Sequence, residues 1–172
     1  AEELSENPSL REMDLLMSTG EMISASLLAI HFQSLGTDSI ALTGFQAGVK
    51  TIGNHKKSKI DSIDSKKLEE ELEKGKIVIV TGFQGINESG DITTLGRGGS
   101  DTSAVALAAV LNAECEIYTD VTGIYTVDPR VRKNAKKIDQ LTYEETMEMA
   151  NLGAKVIEPR SVEMAEKFSV PL

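Results

Sequence analysis

The glycine-rich segment Gly96–Asp101 (GRGGSD) has residue types suited to binding an anion, and it leads into a strongly helix-forming stretch. Free N–H groups and the positive end of the helix dipole favour an anion at a helix N-terminus. Glycine lets the backbone approach such a ligand, and Arg97 can hold a carboxylate or phosphate through two parallel hydrogen bonds. We therefore predict a binding turn made of Arg97, Gly98, Gly99, Ser100 and Asp101. A plain strand-to-helix turn with a capping serine is the alternative.

Glu21 is a second candidate because it lies on an apolar face of a predicted helix. By helical counting it shares that face with Ala25, Leu28 and Phe32. A carboxylate buried among apolar groups costs several kcal/mol unless it finds a partner. Glu21 is therefore either a ligand-binding carboxylate or an ordinary glutamate near a helix break at Thr19–Gly20.

A second polar segment, Tyr118–Arg130, follows a predicted strand at Glu116–Thr119. Thr119 and Asp120 would then lie at the carboxyl end of a strand, where open α/β sheets usually bind ligands. Asp, Thr and Gly are also ordinary turn formers, so a simple turn is the alternative. A lone lysine such as Lys155 is most often a solvent-exposed residue at a helix end.

The pattern of apolar residues predicts helices and strands in alternation. The predicted helices are 9–35, Lys66–Lys74 (capped by Ser65, with Leu68 and Leu72 buried), Ser100–Leu111, Tyr143–Asn151 and Pro159–Phe168; the predicted strands are Ser39–Leu42, Lys59–Ile63, Ile77–Val80 and Glu116–Thr119. A turn is predicted at Asn87–Asp91. This order indicates an α/β domain whose helices cover a largely parallel sheet.

Composition narrows the function classes further. The 172 residues carry a net charge of −9, which disfavours generic binding to nucleic acid or to an anionic membrane. The single cysteine, Cys115, excludes an internal disulfide and a cysteine-based zinc site, and it points to a reducing cytoplasm. Apolar runs fall short of the roughly 20 residues that cross a bilayer. His31 and His55 are too far apart in sequence to suggest a metal site, and Lys56–Lys59 reads as a solvated loop.

Several ordered motifs along the chain resemble the aspartokinases of the amino acid kinase family. The matching segments are REMD at Arg11–Asp14, STGE at Ser18–Glu21, LTGFQAG at Leu42–Gly48, GFQG at Gly82–Gly85, Thr93–Asp101, Tyr118–Arg130 and GAKV at Gly153–Val156. The resemblance implies a three-layer αβα sandwich with a mainly parallel sheet, like that of carbamate kinase. It also implies transfer of the ATP γ-phosphate to the side chain of L-aspartate, at the entry to lysine, methionine and threonine biosynthesis.

The resemblance assigns a role to each candidate residue. Glu21 would bind the substrate ammonium group, Arg97 would bind a substrate carboxylate, and Gly98, Gly99, Ser100 and Asp101 would lie beside the acceptor. The nucleotide, with Mg²⁺ on its phosphates, would be bound by Thr119, Asp120, Tyr125, Asp128, Arg130, Lys155 and Val156. Catalysis is assigned to Arg97, Asp101 and Lys155. A cytoplasmic homo-oligomer is expected for the complete enzyme.

The sequence departs from the family pattern in four places. A Lys-Phe-Gly-Gly-Thr-Ser segment that cradles phosphates in the family is missing, and so are the C-terminal ACT regulatory domains. The family's Gly-Asn-Ala-Arg-Ile region reads KKSKI at Lys56–Ile60, and Glu158 occupies a common histidine position. We therefore expect residues 1–172 to be part of a catalytic domain with impaired turnover. A kinase for another amino acid and a non-catalytic binding or assembly fragment are the alternatives.

Overall fold

The computed structural model describes residues 4–128, 130–152 and 157–172. Its helices are α1 (Leu10–Ser34), α2 (Lys66–Glu73), α3 (Gly99–Leu111), α4 (Tyr143–Asn151) and α5 (Pro159–Phe168). Its strands are β1 (Ser39–Leu42), β2 (Val49–Ile52), β3 (Lys59–Ile63), β4 (Ile77–Val80), β5 (Gln84–Ile86) and β6 (Ile92–Thr94).

The strands of the described residues form two sheets. β1 and β4 pair in parallel from Ser39 with Ile77 to Leu42 with Val80. The second sheet has the order β3-β2-β5-β6, in which β2 runs parallel to β5 and the outer pairs are antiparallel. The predicted turn at Asn87–Asp91 connects β5 and β6 as a hairpin, with the Asn87 amide donating to the Asp91 carbonyl.

Helix α1 runs unbroken through Gly20, so the predicted break at Thr19–Gly20 is wrong. A glycine costs a helix only about 1 kcal/mol relative to alanine, and α1 is held by packing against β1, β4 and β6. The buried face of α1 also differs from the predicted apolar face, because Leu28 is exposed. Ala25 is buried as predicted, and the other buried residues of α1 are Asp14, Ser18 and Ala29.

The outward surface of α1 is apolar. Its exposed large side chains are Leu10, Leu15, Leu16, Met17, Ile23, Leu27, Leu28 and Ile30. Among the described residues, α1 is the one helix whose length and composition would allow it to cross a membrane, contrary to the expectation from apolar runs. The buried carboxylate of Asp14 is nevertheless hydrogen-bonded to the β2–β3 loop and to β6, as part of the domain.

Two apolar clusters hold the helices in place. Val105 and Ala108 of α3 pack with Ala165 of α5, Cys115 and Val170. Burial raises the pKa of the Cys115 thiol, and the nearby Asp101 carboxylate raises it further. This cluster fixes α3, and therefore the turn that precedes it.

The second cluster joins Leu42, Ala47 and Leu68 beneath α2. Leu68 is buried as predicted, whereas Leu72 is exposed and its predicted burial is wrong. Glu71 takes the buried position instead, and Lys67, Lys74 and Lys76 surround its carboxylate at 2.6–3.0 Å. Ser65 occupies the N-cap position of α2 as predicted, but its hydroxyl donates to the Glu69 carboxylate and does not cap the backbone.

The predicted strand Glu116–Thr119 does not form in the described structure. Ile117 packs against the α3–α5 cluster, but Tyr118 is 89% exposed. The Cys115 amide donates to the Pro171 carbonyl, outside any strand ladder. Alternating apolar residues create a strand only where a neighbouring strand accepts their hydrogen bonds.

Candidate functional site

The predicted binding turn connects the end of β6 to the start of α3. Gly96 has φ +79° and Gly98 has φ +70°, a backbone region that glycine adopts readily. Helix α3 begins at Gly99, and the Thr102 amide donates to the Gly98 carbonyl at 3.1 Å. Arg97 is exposed between the two left-handed glycines. The turn therefore presents Arg97 next to the positive end of a 13-residue helix.

Ser100 and Asp101 lie inside the first turn of α3 rather than before it. The N-cap position belongs to Gly98, so Ser100 is not the capping serine of the simple-turn interpretation. Ser100 is exposed and Asp101 is half-buried. Both are therefore available to a molecule bound at the helix N-terminus.

The β4–β5 connection forms one wall of the turn, a feature that we did not predict. Phe83 has φ +68°, unusual for a bulky residue, and its amide donates to Ser103 Oγ at 3.0 Å. Its carbonyl accepts from the Leu95 amide at 2.9 Å. Gly82 lies against Ser100, since a methyl group there would be 3.3 Å from the Ser100 Cα. The GFQG motif was the available sequence signal.

Glu21 projects from the buried side of α1, and its Oε2 atom is buried without a hydrogen-bond partner among the described residues. One turn earlier, the Ser18 carbonyl accepts from Gln84 Nε2 at 3.1 Å, so this part of α1 lies over β5. Because α1 is continuous, the interpretation of Glu21 as a capping residue at a helix break is wrong. A buried carboxylate oxygen without a donor is costly, and it is suited to receive a cationic ligand.

Asp14 is a functional candidate that we did not predict from the sequence. Its fully buried carboxylate accepts hydrogen bonds from His55 Nδ1, the Lys56 amide, the Thr94 amide and the Thr94 hydroxyl. The supposedly solvated Lys56–Lys59 loop is therefore anchored, and its Ser58 is buried. Asp14 belongs to the REMD motif, but that motif does not indicate that the Asp14 carboxylate accepts hydrogen bonds from two distant segments of the chain.

Five of the predicted nucleotide residues lie on the segment between α3 and α4. Thr119 and Asp120 are exposed, and the Thr119 hydroxyl donates a hydrogen bond to the Asp120 carboxylate at 3.2 Å. Because no strand forms at Glu116–Thr119, these two residues do not follow a strand end as predicted. Tyr125 bonds the Thr122 hydroxyl at 2.7 Å. Arg130 pairs with Asp128 through Nη2 at 2.9 Å, and this guanidinium lowers the pKa of the Asp128 carboxyl. Lys155 and Val156 lie outside the described residues.

The structure thus brings the residues of the turn together and connects them to α1, which carries Glu21. The link is Thr94, the last residue of β6, which is bonded to Asp14 of α1. No described hydrogen bond joins Thr119, Asp120, Tyr125, Asp128 or Arg130 to the turn. Whether those five residues share one site with Arg97 stays a prediction.

We compared the sequence and the fold of this chain with those of known proteins. The sequence matches the amino acid kinase family over residues 2–172. The chain belongs to the amino acid kinase family. An aspartokinase of Geobacillus stearothermophilus is 54% identical over 173 aligned residues, covering 100% of this chain. The chain spans only 42% of that relative's length.

Solved amino acid kinase structures have the same fold. The E. coli aspartokinase III complex with aspartate and ADP superposes with a TM-score of 0.87 at 35% identity, covering 94% of this chain and 37% of that one. Aspartate kinase from Synechocystis superposes with a TM-score of 0.80 at 46% identity, covering 99% of this chain and 28% of that one. The predicted αβα sandwich of this family is therefore confirmed, and its parallel pairings in the described residues are β1 with β4 and β2 with β5.

Proposed function

We propose that this chain carries the substrate-binding part of an aspartate kinase, which transfers the γ-phosphate of ATP to the side-chain carboxylate of L-aspartate. The relatives named above are aspartokinases, and one was solved with aspartate and ADP. L-Aspartate is a zwitterion with an additional carboxylate, so its site needs one anionic group and at least one cationic group. Glu21 and Arg97 are residues of those two kinds.

The observation that carries the proposal is the Oε2 atom of Glu21, which is buried and has no hydrogen-bond partner within residues 4–128, 130–152 and 157–172. A carboxylate in that state is stabilised by a ligand ammonium group, which supplies both charge and hydrogen-bond donors. In the proposed complex Glu21 binds the α-ammonium and Arg97 binds a carboxylate in two-bond geometry. Gly98 and Gly99 let the backbone approach the ligand, and Ser100 and Asp101 lie beside the acceptor group.

The chemistry asks little of the protein beyond position and charge. An oxygen of the ionised aspartate side chain attacks the γ-phosphorus, the bond from phosphorus to the bridging β,γ-oxygen breaks, and aspartyl phosphate and ADP result. The nucleophile is already deprotonated, so no general base is required. Catalysis is then mostly orientation and neutralisation of phosphate charge. Mg²⁺ would supply part of that neutralisation, bound to the phosphates.

The nucleotide half of the site is proposed on the resemblance alone. It comprises Thr119, Asp120, Tyr125, Asp128 and Arg130, with Lys155 and Val156 contributing near the phosphates. Since Arg130 is already paired with Asp128, a phosphate would have to compete with that carboxylate for the guanidinium. Catalytic roles for Arg97, Asp101 and Lys155 belong to the same proposal.

The wider biological setting is also proposed. We expect residues 1–172 to be part of a catalytic domain, with turnover that depends on further sequence. The complete enzyme would act in the cytoplasm, in lysine, methionine and threonine biosynthesis, as a homo-oligomer. The apolar outward surface of α1 is typical of an interface and supports assembly.

The test is ATP-dependent formation of an acyl phosphate, trapped as a hydroxamate by hydroxylamine. The assay is run on residues 1–172 and on a chain extended to the length of the relatives. The extended chain should yield aspartyl hydroxamate with MgATP, and Glu21→Gln should abolish the signal. No hydroxamate from L-aspartate in either chain would refute the proposal. A larger yield from L-glutamate would indicate a kinase for another amino acid.

A further inference from the structure

Asp14 connects three separate segments of the chain through one buried carboxylate. Its Oδ2 accepts from His55 Nδ1 at 2.8 Å, from the Lys56 amide at 3.0 Å and from the Thr94 amide at 3.1 Å. Its Oδ1 accepts from Thr94 Oγ1 at 2.7 Å. Asp14 and Thr94 are both fully buried. Hydrogen bonds to a charged acceptor in such surroundings are stronger than neutral ones.

These donors lie next to the binding turn. Thr94 is the last residue of β6 and precedes Arg97 by three positions. Lys56 has φ +66°, and its carbonyl faces Gly96, where a methyl group would lie 2.7 Å from that oxygen. Asp14 therefore fixes the strand that leads into the turn and also the loop that packs against its first glycine.

Asp14 lies two helical turns before Glu21 on the same side of α1. Ser18, between them, is buried, and its carbonyl holds Gln84 of β5. Because a continuous helix is stiff over seven residues, a fixed Asp14 also fixes the Glu21 backbone. The bonds to Thr94 then determine how far Glu21 stands from the turn that carries Arg97.

We propose that Asp14 is the positioning residue that sets the spacing between Glu21 and the Arg97 turn, and with it the length of the amino acid that fits between them. The proposal rests on the proposed function, since it takes Glu21 and Arg97 as the two ends of the substrate site. Asp14 itself does not contact the substrate. L-Glutamate, one methylene longer than L-aspartate, would fit less well in a site of fixed spacing.

The experiment compares hydrogen exchange and ligand binding in matched variants of the 172-residue chain. Asp14→Asn places an amide NH₂ among donors, and Thr94→Val removes only the hydroxyl donor, whereas Thr94→Ser keeps it. Glu71→Gln is the control, because it disrupts another buried carboxylate that accepts several hydrogen bonds but belongs to α2. Exchange is followed by mass spectrometry in peptides covering residues 94–102, and binding of L-aspartate and L-glutamate by calorimetry.

Asp14→Asn and Thr94→Val should accelerate exchange in residues 94–102 on the order of tenfold, beyond any effect of Glu71→Gln. L-Aspartate should bind on the order of tenfold more weakly, the preference over L-glutamate should shrink, and Thr94→Ser should restore both. Should Asp14→Asn fail to fold, Thr94→Val answers the same question.

The proposal would be overturned if the hydrogen-exchange rate in residues 94–102 increased no more in Asp14→Asn and Thr94→Val than in Glu71→Gln. It would also be overturned if exchange became faster in these variants while the preference for L-aspartate over L-glutamate stayed unchanged. If the parent chain binds neither amino acid, the fault lies with the proposed function, and the exchange comparison still decides whether Asp14 positions the turn.

Discussion

The Cα of Gly98 lies directly against the side chain of Glu158, so that a methyl group on Gly98 would overlap the Cβ and Cγ of that residue. Glu158 precedes α5, and Gly98 is the N-cap of α3. The glycine-rich turn is therefore closed on one side by Glu158, at the position where the family resemblance predicts a histidine.

Gly98→Ala should destabilise the protein and weaken L-aspartate binding. Alanine at φ +70° costs about 1–3 kcal/mol in backbone strain, and the overlap with Glu158 adds to it. Gly20→Ala is the matched control, because Gly20 is helical with open space around it, and it should stabilise by about 0.5–1 kcal/mol. Thermal unfolding of both variants checks this, and equal shifts of Tm would contradict it.

Arg97→Lys should weaken L-aspartate binding roughly tenfold to a hundredfold, because lysine keeps the charge but loses the two-bond contact with a carboxylate. Arg97 is exposed, so Tm should change little. Arg132→Lys, an exposed substitution on the segment between α3 and α4, serves as the control for calorimetric titration. Binding that survives in Arg97→Lys at full strength would argue against Arg97 as the carboxylate-binding group.

Glu21→Gln should separate ligand binding from stability. It removes the negative charge that the substrate ammonium needs, so L-aspartate affinity should fall at least about tenfold. It also removes a buried carboxylate oxygen that has no described donor, so Tm should stay level or rise. A fall in both Tm and affinity would instead assign Glu21 a structural role.

Glu71→Gln should lower Tm at neutral pH by an amount that disappears in acid. Hydrogen bonds from Lys67, Lys76 and Lys74 hold the pKa of the Glu71 carboxyl well below its ordinary 4.5. A carboxyl whose pKa is depressed on folding stabilises the protein above its unfolded pKa, and this contribution is lost as the pH falls toward its folded pKa. The gap in Tm between parent and variant should therefore be full at pH 7 and narrow below about pH 4.5. A gap that widens in acid would contradict this assignment.

Local sequence patterns predicted the regular elements well where packing and local preference agree. The strands Ser39–Leu42 and Ile77–Val80 and the helix Pro159–Phe168 form with the predicted bounds. The predicted strand Glu116–Thr119 is wrong, because a strand needs a neighbouring strand to pair with and sequence periodicity does not show whether one is present. In α2, Glu71 is buried where Leu72 was expected to be, because three lysines neutralise the charge of the Glu71 carboxylate.

The candidate site was predictable in its residues but not in its architecture. The turn Gly96–Asp101 stands out from its glycines and arginine, and Glu21 from its place among apolar residues. Asp14 could not be recognised, because its partners His55, Lys56 and Thr94 lie 41 to 80 positions away in the chain. Such contacts depend on tertiary geometry rather than on local pattern.

Calorimetric titration of the chain with L-aspartate, beside L-glutamate, tests the central claim that Glu21 and the Arg97 turn form an amino acid site. We predict saturable binding of L-aspartate, weaker binding of L-glutamate, and an L-aspartate affinity at least about tenfold lower in Glu21→Gln, whose Tm stays level or rises. Equal affinity for the two amino acids, or L-aspartate binding that is indifferent to both Glu21→Gln and Arg97→Lys, would contradict the account.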